Sequence, residues 1–254
     1  MKYFLAVAGL CFVAMATPRP HATGIVRPPS APPAPTPIRR PPLIELPPPP
    51  ALPASAHAFL LSTGGRNLIL DFETGGRSGY NPRPEWPKGA SGVTVGIGYD
   101  MGYYRPSVIE SDWHALDANY RAQLEGVSGI TGQRARAAVR TVHDVYVQWQ
   151  IATDVFDRVD VAREFANAKR AMPGFQDLRP NCQAALLSLG FNRGWAMAGA
   201  NRTEMREIRE LVPSRDYDGI ALQLRKMVRV WSGTSIYSGM RRRRFAEADL
   251  VLTP

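Results

Sequence analysis

Cysteine is nearly absent. Among 254 residues only Cys11 and Cys182 occur, and Cys11 sits in an apolar leader. A mature chain without that leader can form no internal disulfide, so its domain must rest on its core alone. Cys182, in "NCQAALLSLGF", is expected to be a small core residue. The histidines, His21, His57, His114 and His143, are scattered, with no HExxH and no clustered Cys/His spacing. A zinc site therefore has little support. There is no GxSxG elbow and no GxxxxGK[ST] loop, and "GIG" at Gly96–Gly98 lacks the third glycine of a dinucleotide fingerprint. No internal repeat is visible. Long hydrophobic runs are missing too: the uncharged stretch Tyr3–Ala16 is too short to span a bilayer comfortably.

What is present is unevenly distributed. Of the 23 prolines, 15 lie between Pro18 and Pro53. Such a segment buries little and favours polyproline II, a semi-rigid spacer of about 3.1 Å per residue with a reach of about 100 Å. Before it, Lys2, the apolar stretch and Ala14-Met15-Ala16 have the form of an export signal with a cut after Ala16. The expected organisation is a signal peptide or weak membrane anchor over 1–16, a proline-rich linker over 17–55, and one globular domain over 56–254. That reading predicts a periplasmic or secreted protein, with transient membrane association through the N-terminus.

The net charge is +9, from 31 basic and 22 acidic residues. Residues 1–55 hold five of the basic groups and one acid, so the rest keeps 26 against 21, a net +5. A basic exported domain suits anionic surfaces such as cell wall. Nucleic acid is not the expected partner. The run Arg241–Arg244 lies in "GMRRRRFAEADLVL", where Met240, Phe245 and Leu250 are expected on one helix face and the arginines on a solvated one.

The domain reads as α+β. Apolar density at Leu68–Phe72, between Gly64-Gly65 and Gly75-Gly76, predicts a short helix ending near Glu73. Residues 93–99, "VTVGIGY", predict one strand. From Asp100 onward the apolar spacing is helical almost to the end, with breaks at "MPGF", "GW", "VPSRD" and "SGTS".

Two carboxylates stand in unusual settings. Glu73 follows Leu68, Ile69, Leu70 and Phe72, which predicts partial desolvation and a carboxyl fit to act as a general acid. Asp100, at the end of the glycine-rich strand, is expected to be solvated and ionised, fit to activate water. Thr94, six residues earlier, would share its face by even spacing and hold that water. Paired acids in opposed environments suit an inverting glycosidase. The competing reading is that Glu73 ends a helix and Asp100 opens a turn. Asp71 and Glu85 read as surface groups.

The stretch "FETGG…YNPRPEWPKGASGVTVGIGYDMGY" resembles the catalytic segment of phage-type lysozymes, glycoside hydrolase family 24, and most closely the pesticin-like muramidase branch. "AALLSLGFNRGW" resembles that family's helix ending in [FY]-N-x-G. "RVWSGTSIYSGMRRRRFAEADL" resembles its closing W…GL-x-x-RR-x-x-E-A-x-L. The resemblance spans most of residues 60–252 and implies a lysozyme-like fold, a helical lobe and a small β lobe with a cleft between them. It implies Glu73, Thr94 and Asp100 as catalytic, and it sets Asn192 and Tyr99 near the sugar, with helix capping and packing as their respective alternatives. Phage lysozymes outside that branch place their Asp between the Glu and the Thr, so the order here leaves the base assignment less determined than the acid. The implied activity is hydrolysis of peptidoglycan by a monomer without metal or organic cofactor. Two alternatives are a lytic transglycosylase and a non-catalytic wall-binding module.

Overall fold

A computed structural model describes residues 61–254. The expected export signal and proline-rich linker lie outside the described residues. The described part is mainly helical with one small antiparallel sheet, the expected α+β arrangement.

Helix α1 (Thr63–Thr74) begins where the Ser62 hydroxyl accepts from Gly65 N at 3.0 Å. It ends at Gly75, whose φ of 74° lets its N–H reach the Leu70 and Asp71 carbonyls. A single turn, α2 (Gly76–Gly79), follows, and the chain then enters the sheet region.

The predicted single strand over 93–99 is instead a hairpin. Strand β1 (Thr94–Val95) turns through Gly96 and Gly98, both at positive φ, into β2 (Tyr99–Asp100). Alternation predicts a strand but not its length; the two glycines permit a turn that residues with a side chain resist. Gly96 also meets the Trp113 ring so closely that a Cβ would lie 2.7 Å from it. Short helices α3 (Pro106–Asp112), α4 (Ala118–Gly126) and α5 (Gly132–Ala138) complete this region.

Helix α6 (Trp149–Val155) continues through a π-helical turn, Phe156–Asp160, into α7 (Val161–Ala171). Helix α8 (Pro180–Arg193) is the centre of the rest. Every residue from Ala184 to Gly190 is buried, as expected of a helix enclosed on all sides. It packs against α1, α7 and α11 (Tyr237–Leu252), while α9 (Thr203–Leu211) and α10 (Tyr217–Lys226) close the bundle. Cys182 is wholly buried, as its sequence context predicts, and burial pushes its thiol up to about 12.

The contact between α1 and α8 is made at Gly65, where a Cβ would fall 2.1 Å from the Ala184 Cβ. Gly65→Ala should therefore destabilise the domain by about 1–3 kcal/mol through overpacking, despite alanine's better helix propensity. Urea unfolding of the variant checks this; unchanged stability would mean that the two helices are not in close contact here.

Candidate active site

Thr94 and Asp100 are brought together, though not by the route their spacing implies. They are direct partners across the β1–β2 ladder rather than residues on one strand. A second pairing flanks β1: Glu85 N donates to Thr94 O at 2.9 Å, and Thr94 N donates to Glu85 O at 2.8 Å. Directly opposed residues of antiparallel strands project to the same face. Glu85, Thr94 and Asp100 thus form a row, with the threonine between two carboxylates. Glu85 is half-buried and joined to the sheet, which corrects its reading as a surface group. No sequence pattern marks this, because one pair of backbone bonds across an irregular loop leaves no periodicity.

Asp100 is held rather than freely solvated. Its Oδ1 accepts from Gly92 N and Gly102 N, both at 2.9 Å, and its Oδ2 lies 3.0 Å from Gly92 N. Burial raises its pKa, opposed by those two backbone donors. Gly92 is required, since a Cβ there would sit 2.3 Å from Asp100 Oδ1. The bond from Gly102 also caps the Met101–Tyr103 turn, so Asp100 does open a turn while presenting its carboxylate. No described residue bonds the Thr94 hydroxyl.

Tyr99 is a packing residue. It is 2 % exposed, its ring lies 4.5 Å from that of Tyr104 and 5.4 Å from that of Trp113, and no face is open for a sugar. Its hydroxyl donates to Asp112 Oδ2 at 2.8 Å, and Arg163 from α7 donates to the same oxygen at 2.5 Å. Arg163 lies over the Tyr104 ring at 4.3 Å, and Arg158 donates to Asp112 O at 2.5 Å. This buried group anchors the residue next to Asp100.

Glu73 ends α1 as expected, but its nearest partner is a charge rather than an apolar wall. Arg243 Nη2 donates to Glu73 Oε1 at 2.6 Å. The same guanidinium donates to Ser188 O at 2.8 Å and from Nε to Glu247 Oε1 at 3.2 Å. Glu247 Oε1 also accepts from Ser188 Oγ at 2.6 Å and Arg244 Nη2 at 2.8 Å. Arg244 reaches on to Asn192 Oδ1 at 3.3 Å. Glu73 and Asn192 are therefore two ends of one network of paired charges. No hydrogen bond or ion pair among the described residues joins that network to the hairpin row.

Arg243 and Arg244, 5 % and 0 % exposed, correct the expectation that the arginine run is a solvated face. Only Arg241 and Arg242 are exposed. Burial works against the Arg243 charge, but Glu73 and Glu247 outweigh it and hold the guanidinium above its ordinary value. For Arg244 burial wins, pushing it down to about 10 against the pull of Glu247.

Among the described residues no group of three His, Cys, Asp or Glu side chains is arranged to hold a metal ion. No protein-family model matches the chain, and no curated protein matches it.

Two predictions follow from the charge pairs. Glu247→Ala leaves two buried guanidiniums without their shared carboxylate and should cost about 3–5 kcal/mol, read by denaturant unfolding; a cost under about 1 kcal/mol would mean that the cluster is hydrated and loose. The second concerns Asp160, whose Oδ1 lies 3.6 Å from Arg163 Nη1 and whose Oδ2 has no partner. Burial pushes its carboxyl from 3.8 to about 8, against Arg163 and with Asp112 and Glu164 adding to the rise. The native state then holds this proton more tightly than the unfolded chain, so wild-type stability falls as pH rises from about 4 to about 8. Asp160→Asn has no such proton to lose. Its Tm relative to wild type should rise by at least about 3 °C between pH 5 and pH 9, and a pH-independent difference would contradict the assignment.

Proposed function

We propose that the domain is a lysozyme-like muramidase, hydrolysing the β-1,4 bond between N-acetylmuramic acid and N-acetylglucosamine in peptidoglycan with inversion. The observation that carries this reading is the row of Thr94 between Glu85 and Asp100, with its hydroxyl bonded by no described residue, in a chain whose motifs resemble that enzyme family. Substrate outside the cytoplasmic membrane fits the export signal read from the leader.

In this mechanism Glu73 protonates the leaving oxygen. Arg243 fixes the carboxyl at the end of α1 and is itself fixed by Ser188 and Glu247. A carboxylate offers about four lone-pair directions. Backbone N–H groups take three of those on Asp100 and leave one on Oδ2, from which it can draw a proton from water. Thr94 orients that water. The N–H donors hold Asp100 in one rotamer, the pre-organisation a general base needs. Glu85 keeps one carboxylate oxygen without a partner among the described residues, Asn81 being bound to the other at 3.2 Å, and so is a second candidate for the base.

Glu73→Gln should reduce clearing of peptidoglycan suspensions by about 10²–10⁴-fold in a chain that still folds, with a Tm lowered by the loss of one charged partner of Arg243. Asp100→Asn, which keeps the acceptor Oδ1, should also lose at least about 100-fold, while Glu85→Gln stays within a few-fold. The reverse ranking would move the base to Glu85. Retained activity in Glu73→Gln would end the muramidase reading, and 1,6-anhydro products, lighter by one water, would indicate a lytic transglycosylase.

A further inference from the structure

The run that links Glu73 to Glu85 forms one wall of a pocket that the mechanism above does not use. The pocket holds about 280 Å³ and lies between residues 77–82 and residues 146–150. Its two walls are stitched together. Tyr80 donates its hydroxyl to Val147 O at 2.9 Å, and Val147 N donates to Pro82 O at 2.9 Å. The Tyr80 ring meets Trp149 edge to face at 5.2 Å. Arg83, bound to the carbonyls of His143 and Asp144, lies 5.4 Å over the Tyr146 ring. These contacts fix the walls before any ligand arrives.

The polar lining is by contrast unengaged. Arg77, Gln148 and Gln150 line the pocket, and none of their side chains makes a hydrogen bond to a described residue. No carboxylate lines the pocket. Aromatic walls accept the apolar face of a pyranose ring. Two primary amides match the donor and acceptor of an N-acyl group, and a guanidinium without an acid partner among the described residues matches a carboxylate. We propose that this pocket binds a saccharide that bears an N-acyl group and a carboxylate, the carboxylate on Arg77 and the ring against Tyr146 and Trp149.

The site stands on this geometry; the choice of a wall-derived probe rests on the muramidase reading. Isothermal titration of the full-length Glu73→Gln chain with N-acetylmuramic acid, whose lactyl carboxylate is free, should give saturable binding. Arg77→Gln and Tyr146→Ala, both at exposed positions, should each weaken it about tenfold at unchanged Tm. A neutral N-acetylglucosamine trimer should show no dependence on Arg77. A flat titration, or an affinity for N-acetylmuramic acid that Arg77→Gln leaves unchanged, overturns the proposal. The two readings separate cleanly. A wild-type chain that clears peptidoglycan but gives a flat titration loses the pocket alone. A chain that clears nothing yet binds in an Arg77-dependent way keeps the pocket and loses the muramidase.

Discussion

One buried carboxylate oxygen, Oε1 of Glu247, holds the helical part of the molecule in register. It accepts from Ser188 on α8 and from both Arg243 and Arg244 on its own helix, and Arg243 carries the chain of bonds on to α1 at Glu73. Burying two guanidiniums is unfavourable unless their charge is met by close acceptors. Here two carboxylates meet two arginines, and the side chains that satisfy one another come from three different helices. The axial position of α11 against α1 and α8 is thereby set by hydrogen-bond geometry, where apolar packing alone would tolerate sliding.

The hairpin is governed by a different constraint. Its strands are two residues long, too short to persist on ladder bonds alone. What keeps it in place is lateral: the pairing with Glu85, the backbone donors of Gly92 and Gly102 on Asp100, and the Tyr99–Asp112–Arg163 contact behind it. The face carrying Thr94 and Asp100 is thus supported from its edges and its back.

How much of this was legible depended on whether the cause was local. The helix ending at Glu73 could be read because the glycine that stops it is its neighbour in sequence. Cys182 is legible as core because Ala185, Leu186 and Leu189 share its helical face. Even spacing places Thr94 and Asp100 on one face of a strand and also, across a tight turn, opposite one another, so the sequence pairs them without revealing the turn. The burial of Arg243 and Arg244 does not show in composition, because a run of arginines has no apolar period. The i, i+3 and i, i+4 spacing of Glu247 from the two arginines was the signal that could have separated them from Arg241 and Arg242. The packing role of Tyr99 is hidden because strand alternation does not say which face is covered. Glu85 was out of reach, its role arising from a backbone pairing that no side chain announces.

The π-helical turn at Phe156–Asp160 has its own consequence. A π turn amounts to one residue more than an α-helix would use over the same path, and each residue rotates the side-chain direction by about 100°. Asp157 and Arg66 on α1 form a bidentate pair at 2.7–3.1 Å, whereas Arg158 and Arg163 address Asp112, which holds Tyr99 of the hairpin. A uniform α-helix from Trp149 to Ala171 would turn the segment beyond the insertion by about 100° relative to the segment before it. The added residue acts as a phase shift. It lets one rod grip the bundle and the sheet region at once, and a deletion of one residue there would uncouple those two grips while leaving the rod itself more regular than before.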